Sequence, residues 1–277
     1  MKAKFKKRYI FLILLLLVVL YLFWGPLFPW SPIKPGFDRI ESSKATTYIT
    51  RNEGDSVVYA MDEIIKEAEA FHDLRFKKRF KVIILGSKSS MKRFLPWLRG
   101  SGYSVKIGYA NLIYIGANAR TSPYGVRVFL KHEISHLLLH QNMASGRDNL
   151  RIVDQGWLTD GVATYFGGPQ YYEKNEFVAS WEANNLAFDS LHEQNPLTMD
   201  RSMRALKYTY YRFFVQFLID THGLGKFQAY LKEYLRTPLD YKMLFPKVFG
   251  DDLNGILKKF DSYMHQEGQS ARLPACP

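Results

Sequence analysis

The chain has 277 residues, 47% of them hydrophobic, which is enough apolar mass for one large domain or two small ones. With 23% charged residues and no repeat or low-complexity stretch, it is neither disordered, collagenous nor solenoidal. The net charge is +12, but no Lys/Arg run is concentrated enough to point to nucleic acid, and the lone Cys276 excludes an internal disulfide and a cysteine-rich zinc site.

Lys2, Lys4, Lys6, Lys7 and Arg8 open the chain, and a charge-free run follows from Tyr9 to Ile33. About 20 such residues cross a bilayer core, so residues 9–30 are expected as a single transmembrane anchor behind a cytoplasmic tail, 1–8. Positive charge stays in the cytoplasm, which places the remainder outside the cell membrane, periplasmic or extracellular. Tyr21, Trp24 and Trp30 suit an interfacial belt, and no small-x-small cleavage site follows, only Gly25-Pro26-Leu27-Phe28.

Residues 31–47 carry Pro32, Pro35 and Gly36 and read as a linker, with the folded domain spanning 48–266 and a tail over 267–277. Apolar residues at helical spacing predict a helix over 55–72, and the β-branched run "FKVIILG" (80–86) predicts a buried strand. A short helix is expected in "SSMKRFLPWL" (89–98), then two short strands in 103–117 broken between Gly108 and Asn111. Helices follow over 124–142, 156–166, 171–188 and 202–222, the last stopped by Gly223, and two more close the chain at 224–235 and 251–266. Strands first and helices afterwards make an α+β fold, with a small N-terminal mixed or antiparallel sheet and a mainly helical C-terminal part.

The chemistry concentrates at His132-Glu133-Ile134-Ser135-His136, an H-E-x-x-H motif. Residues i and i+4 lie about 6 Å apart along one helix face, so two imidazoles can converge on one ion. Glu133 projects about 100° away, where it can act as general base on a water without binding the metal. His140 lies about 12 Å along the axis from His132, too far to share an ion held by bonds of about 2 Å. A catalytic zinc takes a third protein ligand, and "GWLTDGVATYF" (156–166) is the obvious source through Asp160, an acid set among apolar neighbours.

Together "HEISH" and "WLTDGVATY" resemble the gluzincin zinc metallopeptidases, in particular small peptidase-MA-like domains and the thermolysin and aminopeptidase groups. Their second motif reads W-L-x-E-G-x-A-x-Y; Trp157, Leu158, Gly161, Ala163 and Tyr165 are in register, with Asp160 at the glutamate position. The resemblance implies a zincin-like fold, bound Zn2+, and His132, His136 and Asp160 as its ligands. It implies Tyr208 as an oxyanion donor, with Tyr210 and Tyr211 as competitors on the same helix. It also likens "NLIYIGA" (111–117) to an edge strand that holds an extended peptide by strand addition. Aspartate reaches about 1.5 Å less than glutamate, so the second helix must sit closer or the ion is held less tightly.

The expectation is a membrane-anchored zinc metallopeptidase acting on a peptide or protein, with Glu133 and Tyr208 catalytic. The alternatives are an inactive zinc-binding scaffold, or a zinc amidase acting on a cell-envelope substrate. Asp154 reads first as a surface loop acid, with partnering a ligand histidine as the alternative, and His72, His192, His222 and His265 read as surface or cap residues.

Overall fold

The computed structural model describes residues 2–25, 27–53, 56–86, 91–95, 104–107, 110–143, 156–168, 171–184, 199–236 and 241–270. In chain order the elements are α1 (Lys2–Trp24), β1 (Phe37–Glu41), β2 (Ala45–Thr50), α2 (Met61–His72) and β3 (Phe80–Ile84). Next come α3 (Met91–Phe94), β4 (Ser104–Ile107), β5 (Leu112–Ile115), α4 (Asn118–Thr121) and α5 (Gly125–Asn142). The rest are helices: α6 (Gly156–Gly167), α7 (Lys174–Asn184), α8 (Arg201–His222), α9 (Leu224–Arg236), α10 (Tyr241–Phe249) and α11 (Leu253–Ser270). The chain divides into two compact units, 1–62 with 79–126 and 63–78 with 127–277.

The first unit is built on a five-stranded sheet in the order β1-β2-β3-β5-β4. β2, β3 and β5 run parallel, and β1 and β4 are antiparallel flanks, so the sheet is mixed. "LIYI" of β5 is buried along its whole length and β3 nearly so, which is the pattern of strands covered on both faces. β5 is therefore an interior strand between β3 and β4, not the edge strand that the resemblance implied.

The expected linker also departs from the reading. β1 lies wholly within 31–47 and β2 begins there, pairing Phe37 with Thr50 through to Glu41 with Thr46. Phe28, 1% exposed, packs with Phe37 and Phe94, and Lys34 ties the segment down. The Lys34 ammonium donates to the carbonyls of Phe28 (2.8 Å), Pro29 (3.3 Å) and Ser31 (2.8 Å) and lies over the rings of Phe28 and Tyr48. Prolines and a glycine suggested a loose connection, but local contacts of Lys34 and the more distant Phe94 and Lys81, whose ammonium donates to the Pro29 carbonyl, fold it.

α1 is helical as expected, and its described side chains are apolar and exposed from Tyr9 to Tyr21. Among the described residues, however, no helix is long and apolar enough to cross a membrane.

The second unit is helical and centred on α8. Asp200 caps its start by accepting from the amide of Met203 at 2.8 Å, and Gly223 ends it with φ of +85°, a conformation glycine adopts without steric cost. Tyr210, Tyr211, Phe213, Phe214, Val215, Phe217 and Leu218 of α8 are all buried, against α6, α7, α9, α10 and α11. The helix expected over 55–72 is a 3-10 turn (Ser56–Val58) followed by α2, since the amides of Tyr59 and Ala60 bond three residues back rather than four. The helix expected over 171–188 starts only at Lys174, and 185–188 lie outside the described residues.

Candidate metal centre

α5 places its motif by ordinary amphipathicity. Leu130, Ile134, Leu137 and Leu138 are fully buried, and Lys131 and Arg127 on a neighbouring strip pair with Glu67 of α2 at 3.1 and 3.2 Å. That geometry leaves His132 and His136 side by side on the remaining face, with Glu133 7% exposed between them in sequence.

The Nε2 atoms of His132 and His136 are 3.0 Å apart, with the rings edge to face at 74°. Oδ1 of Asp160 lies 3.2 Å from His136 Nε2. One ligand atom from each of the three residues falls within 4.8 Å of the others. Pairs of ligand atoms on a tetrahedral zinc with bonds of about 2.1 Å stand about 3.4 Å apart, so the donor set and spacing suit that ion. Burial, reinforced by His136, pushes His132 down to about 3, with Asp160 opposing. His132 therefore offers a neutral nitrogen rather than a charge. Its Nδ1 is sealed from solvent and has no hydrogen-bond partner among the described residues. Asp154, read as a loop acid that could partner a ligand histidine, lies outside them, as does His192. His140 does not join the cluster.

Asp160 reaches His136 despite its short side chain. Gly156 leaves room for its carboxylate, and Gly161 sets how closely α6 lies on α8. A Cβ at Gly156 would stand 3.0 Å from Asp160 Oδ2, and one at Gly161 would stand 2.8 Å from the Tyr211 carbonyl oxygen and 3.0 Å from Val215 Cγ2. Bare glycine at 161 lets α6 lie directly against α8. Trp157 is the packing residue of the motif, buried against Phe214, Tyr230 and Phe245.

α8 contributes Tyr208 and Lys207. The charge of Asp160, then burial, then Tyr171 and Glu133, raise the Tyr208 phenol well above its usual range, with Arg204 opposing. Tyr208 is thus a protonated O–H donor within electrostatic reach of both acids. Its two competitors are core residues: Tyr210 and Tyr211 are 3% and 0% exposed, and Tyr210 packs on Phe177, Trp181 and Phe260. Lys207, 4% exposed, is lowered by burial and raised by Asp160. Nothing in the sequence singled it out, because a lysine beside an aromatic run reads as a surface residue.

His72 corrects the reading of it as a surface or cap histidine. It is 0% exposed, with Nε2 2.8 Å from Ser135 Oγ inside the motif and its ring edge-on to Phe166. His265 is exposed beside Glu182, as expected, while His222 packs its ring on Phe249. Tyr171, which carried no sequence signal, stacks on Tyr208 with centroids 5.7 Å apart.

The family pattern described as the Peptidase MA superfamily matches residues 59–266. No curated protein matches the chain. Among solved structures, a mutant M1 zinc metallopeptidase from Deinococcus radiodurans bound to a Tyr-Ser-Ala substrate is similar at 14% identity and a TM-score of 0.47, over 80% of this chain and 50% of that one. A two-domain M1 zinc metallopeptidase mutant bound to L-arginine is similar at 13% identity and a TM-score of 0.46, over 82% and 50%. Native leukotriene A4 hydrolase from Saccharomyces cerevisiae is similar at 11% identity and a TM-score of 0.41, over 81% and 38%. The chain thus spans half or less of the length of these structures.

Proposed function

Since the chain belongs to the Peptidase MA superfamily, we propose that it is a zinc-dependent metallopeptidase that hydrolyses peptide bonds. The observation that carries this reading is the convergence of His132, His136 and Asp160 beside a buried Glu133 and a protonated Tyr208. His132, His136 and Asp160 would hold the ion. Zinc in such a site polarises a carbonyl and makes water nucleophilic near neutral pH. Glu133 takes the proton of the attacking water and returns it to the leaving amine. Tyr208 donates a hydrogen bond to the oxygen on which charge develops, an interaction worth most in a site closed to water. His132 keeps its lone pair available because its burial disfavours protonation.

The test is cleavage of a peptide library by the purified full-length protein, wild type beside Glu133→Gln. Loss of about two or more orders of magnitude in the variant is expected. Equal cleavage by both proteins sinks the mechanism. Stoichiometric zinc without cleavage of any peptide would favour the scaffold reading, and cleavage of an envelope amide alone would favour the amidase.

Attachment to a lipid bilayer through the apolar surface of α1 is part of the same proposal. It is supported by the exposed apolar side chains of α1, Phe11 and Leu16 among them, and by the basic residues that open the sequence. Release from membranes by alkaline carbonate would overturn the attachment.

A further inference from the structure

Tyr171 has a backbone φ of +68°. Left-handed backbone is sterically costly for any residue with a Cβ, and for a bulky aromatic it persists only when surrounding contacts demand it. The contact here is specific. The Tyr171 ring lies nearly parallel to that of Tyr208, with centroids 5.7 Å apart and an interplanar angle of 13°. Tyr171 is 37% exposed, while Tyr208 is half-buried, within the electrostatic reach of Asp160 and Glu133. The stack thus joins a partly exposed ring to one that feels both acids of the candidate site.

A stack that served stability alone would have no reason to occupy strained backbone, since the strain cancels part of what stacking contributes. A phenol that must present its hydroxyl in one place does have such a reason. The ring of tyrosine turns about two side-chain torsions, and a flat partner on its open side removes that freedom.

We infer, resting on the peptidase reading above, that Tyr171 is a positioning residue whose ring holds the Tyr208 ring with its hydroxyl at the metal centre. Tyr171 touches neither ion nor scissile bond in this role; it acts through Tyr208.

Two variants of the full-length protein test this. Tyr171→Gly removes the ring and suits φ of +68°, so it folds with a melting temperature close to wild type. Tyr171→Phe keeps the ring and loses only the hydroxyl. Steady-state kinetics on a cleaved peptide should show kcat about tenfold or more lower in Tyr171→Gly with KM nearly unchanged, because the Tyr208 hydrogen bond is made in the transition state. Tyr171→Phe should restore kcat to within about threefold of wild type. A second, activity-free readout is the ring signal of Tyr208 in metal-free protein carrying labelled tyrosine, assigned with Tyr208→Phe. That signal should shift and broaden in Tyr171→Gly and stay in place in Tyr171→Phe.

An unmoved Tyr208 signal in Tyr171→Gly overturns the stack. Wild-type kcat in Tyr171→Gly, or a rise in KM alone, overturns the positioning role while leaving the peptidase reading intact. A wild type that cleaves no peptide sinks both together.

Discussion

His72 Nε2 lies 2.8 Å from Ser135 Oγ, and His72 Nδ1 lies 2.7 Å from the carbonyl oxygen of Ala68. A carbonyl only accepts, so Nδ1 carries the ring hydrogen and Nε2 accepts from the serine hydroxyl. Both residues are 0% exposed, and Ser135 stands between Glu133 and His136 in the motif. A neutral imidazole on α2 thereby pins the flank of α5 next to the face that carries the candidate ligands. Removing either partner leaves a buried polar group unsatisfied, at about 1–3 kcal/mol. Ser135→Ala and His72→Phe are each expected to destabilise by that amount, and the double variant by clearly less than the sum, as denaturant unfolding of all four proteins would show. Strict additivity would mean that the contact carries no coupling.

Burial pushes His72 down to about 4 from an ordinary value of 6.5. An unfolded chain takes up this proton near pH 6.5 and the folded protein only near 4, so in that interval the unfolded state binds more protons. Stability is complete above about pH 6.5 and falls as the pH drops, by on the order of 3 kcal/mol from this residue by pH 4. His132, lowered in the same direction, adds to the fall. Unfolding of chelator-treated protein at pH 4.5 and 7 should show the loss, and His72→Phe should show a flatter profile. A profile equally steep in His72→Phe assigns the acid sensitivity elsewhere.

Asp160 Oδ1 stands 3.2 Å from His136 Nε2, so removing the carboxylate should uncouple metal affinity from folding. Asp160→Ala is expected to weaken zinc at least about 100-fold in competition with a chromophoric chelator, while the melting temperature of the metal-free protein stays near wild type. Unchanged affinity would remove Asp160 from the ligand set. Asp160→Glu adds about 1.5 Å of reach to a site already closed by the shorter residue, and it should bind zinc more weakly than wild type.

Gly161 is where α6 meets α8, and a methyl there would come within 2.8 Å of the Tyr211 carbonyl oxygen. A backbone atom cannot yield as a flexible side chain does, so Gly161→Ala should cost about 1–3 kcal/mol of overpacking. In a chain this size, that lowers the melting temperature by about 2–4 °C per kcal/mol. Asp160 is the adjacent residue on α6, so a shift of this helix should also lower zinc affinity. Full stability in Gly161→Ala would show that the helices can separate freely.

Residues in one helix or strand announce themselves by local chemistry. The strands "FKVII" and "LIYI", the long α8 with its Gly223 stop, and the i, i+4 spacing of His132 and His136 are set by periodicity and backbone preference, which a sequence carries in full. Contacts between distant segments are not carried that way. Only tertiary packing decided that Lys34 and Phe28 fold a proline-bearing stretch onto the sheet, and that β5 is flanked on both sides. The same holds for His72, sealed against Ser135, and for Tyr171, drawn into strained backbone over Tyr208. Asp160 joins both classes. Its place one helix downstream of the motif was legible, whereas its reach to His136 depended on how closely α6 could lie on its neighbours, a distance that no spacing along the chain encodes.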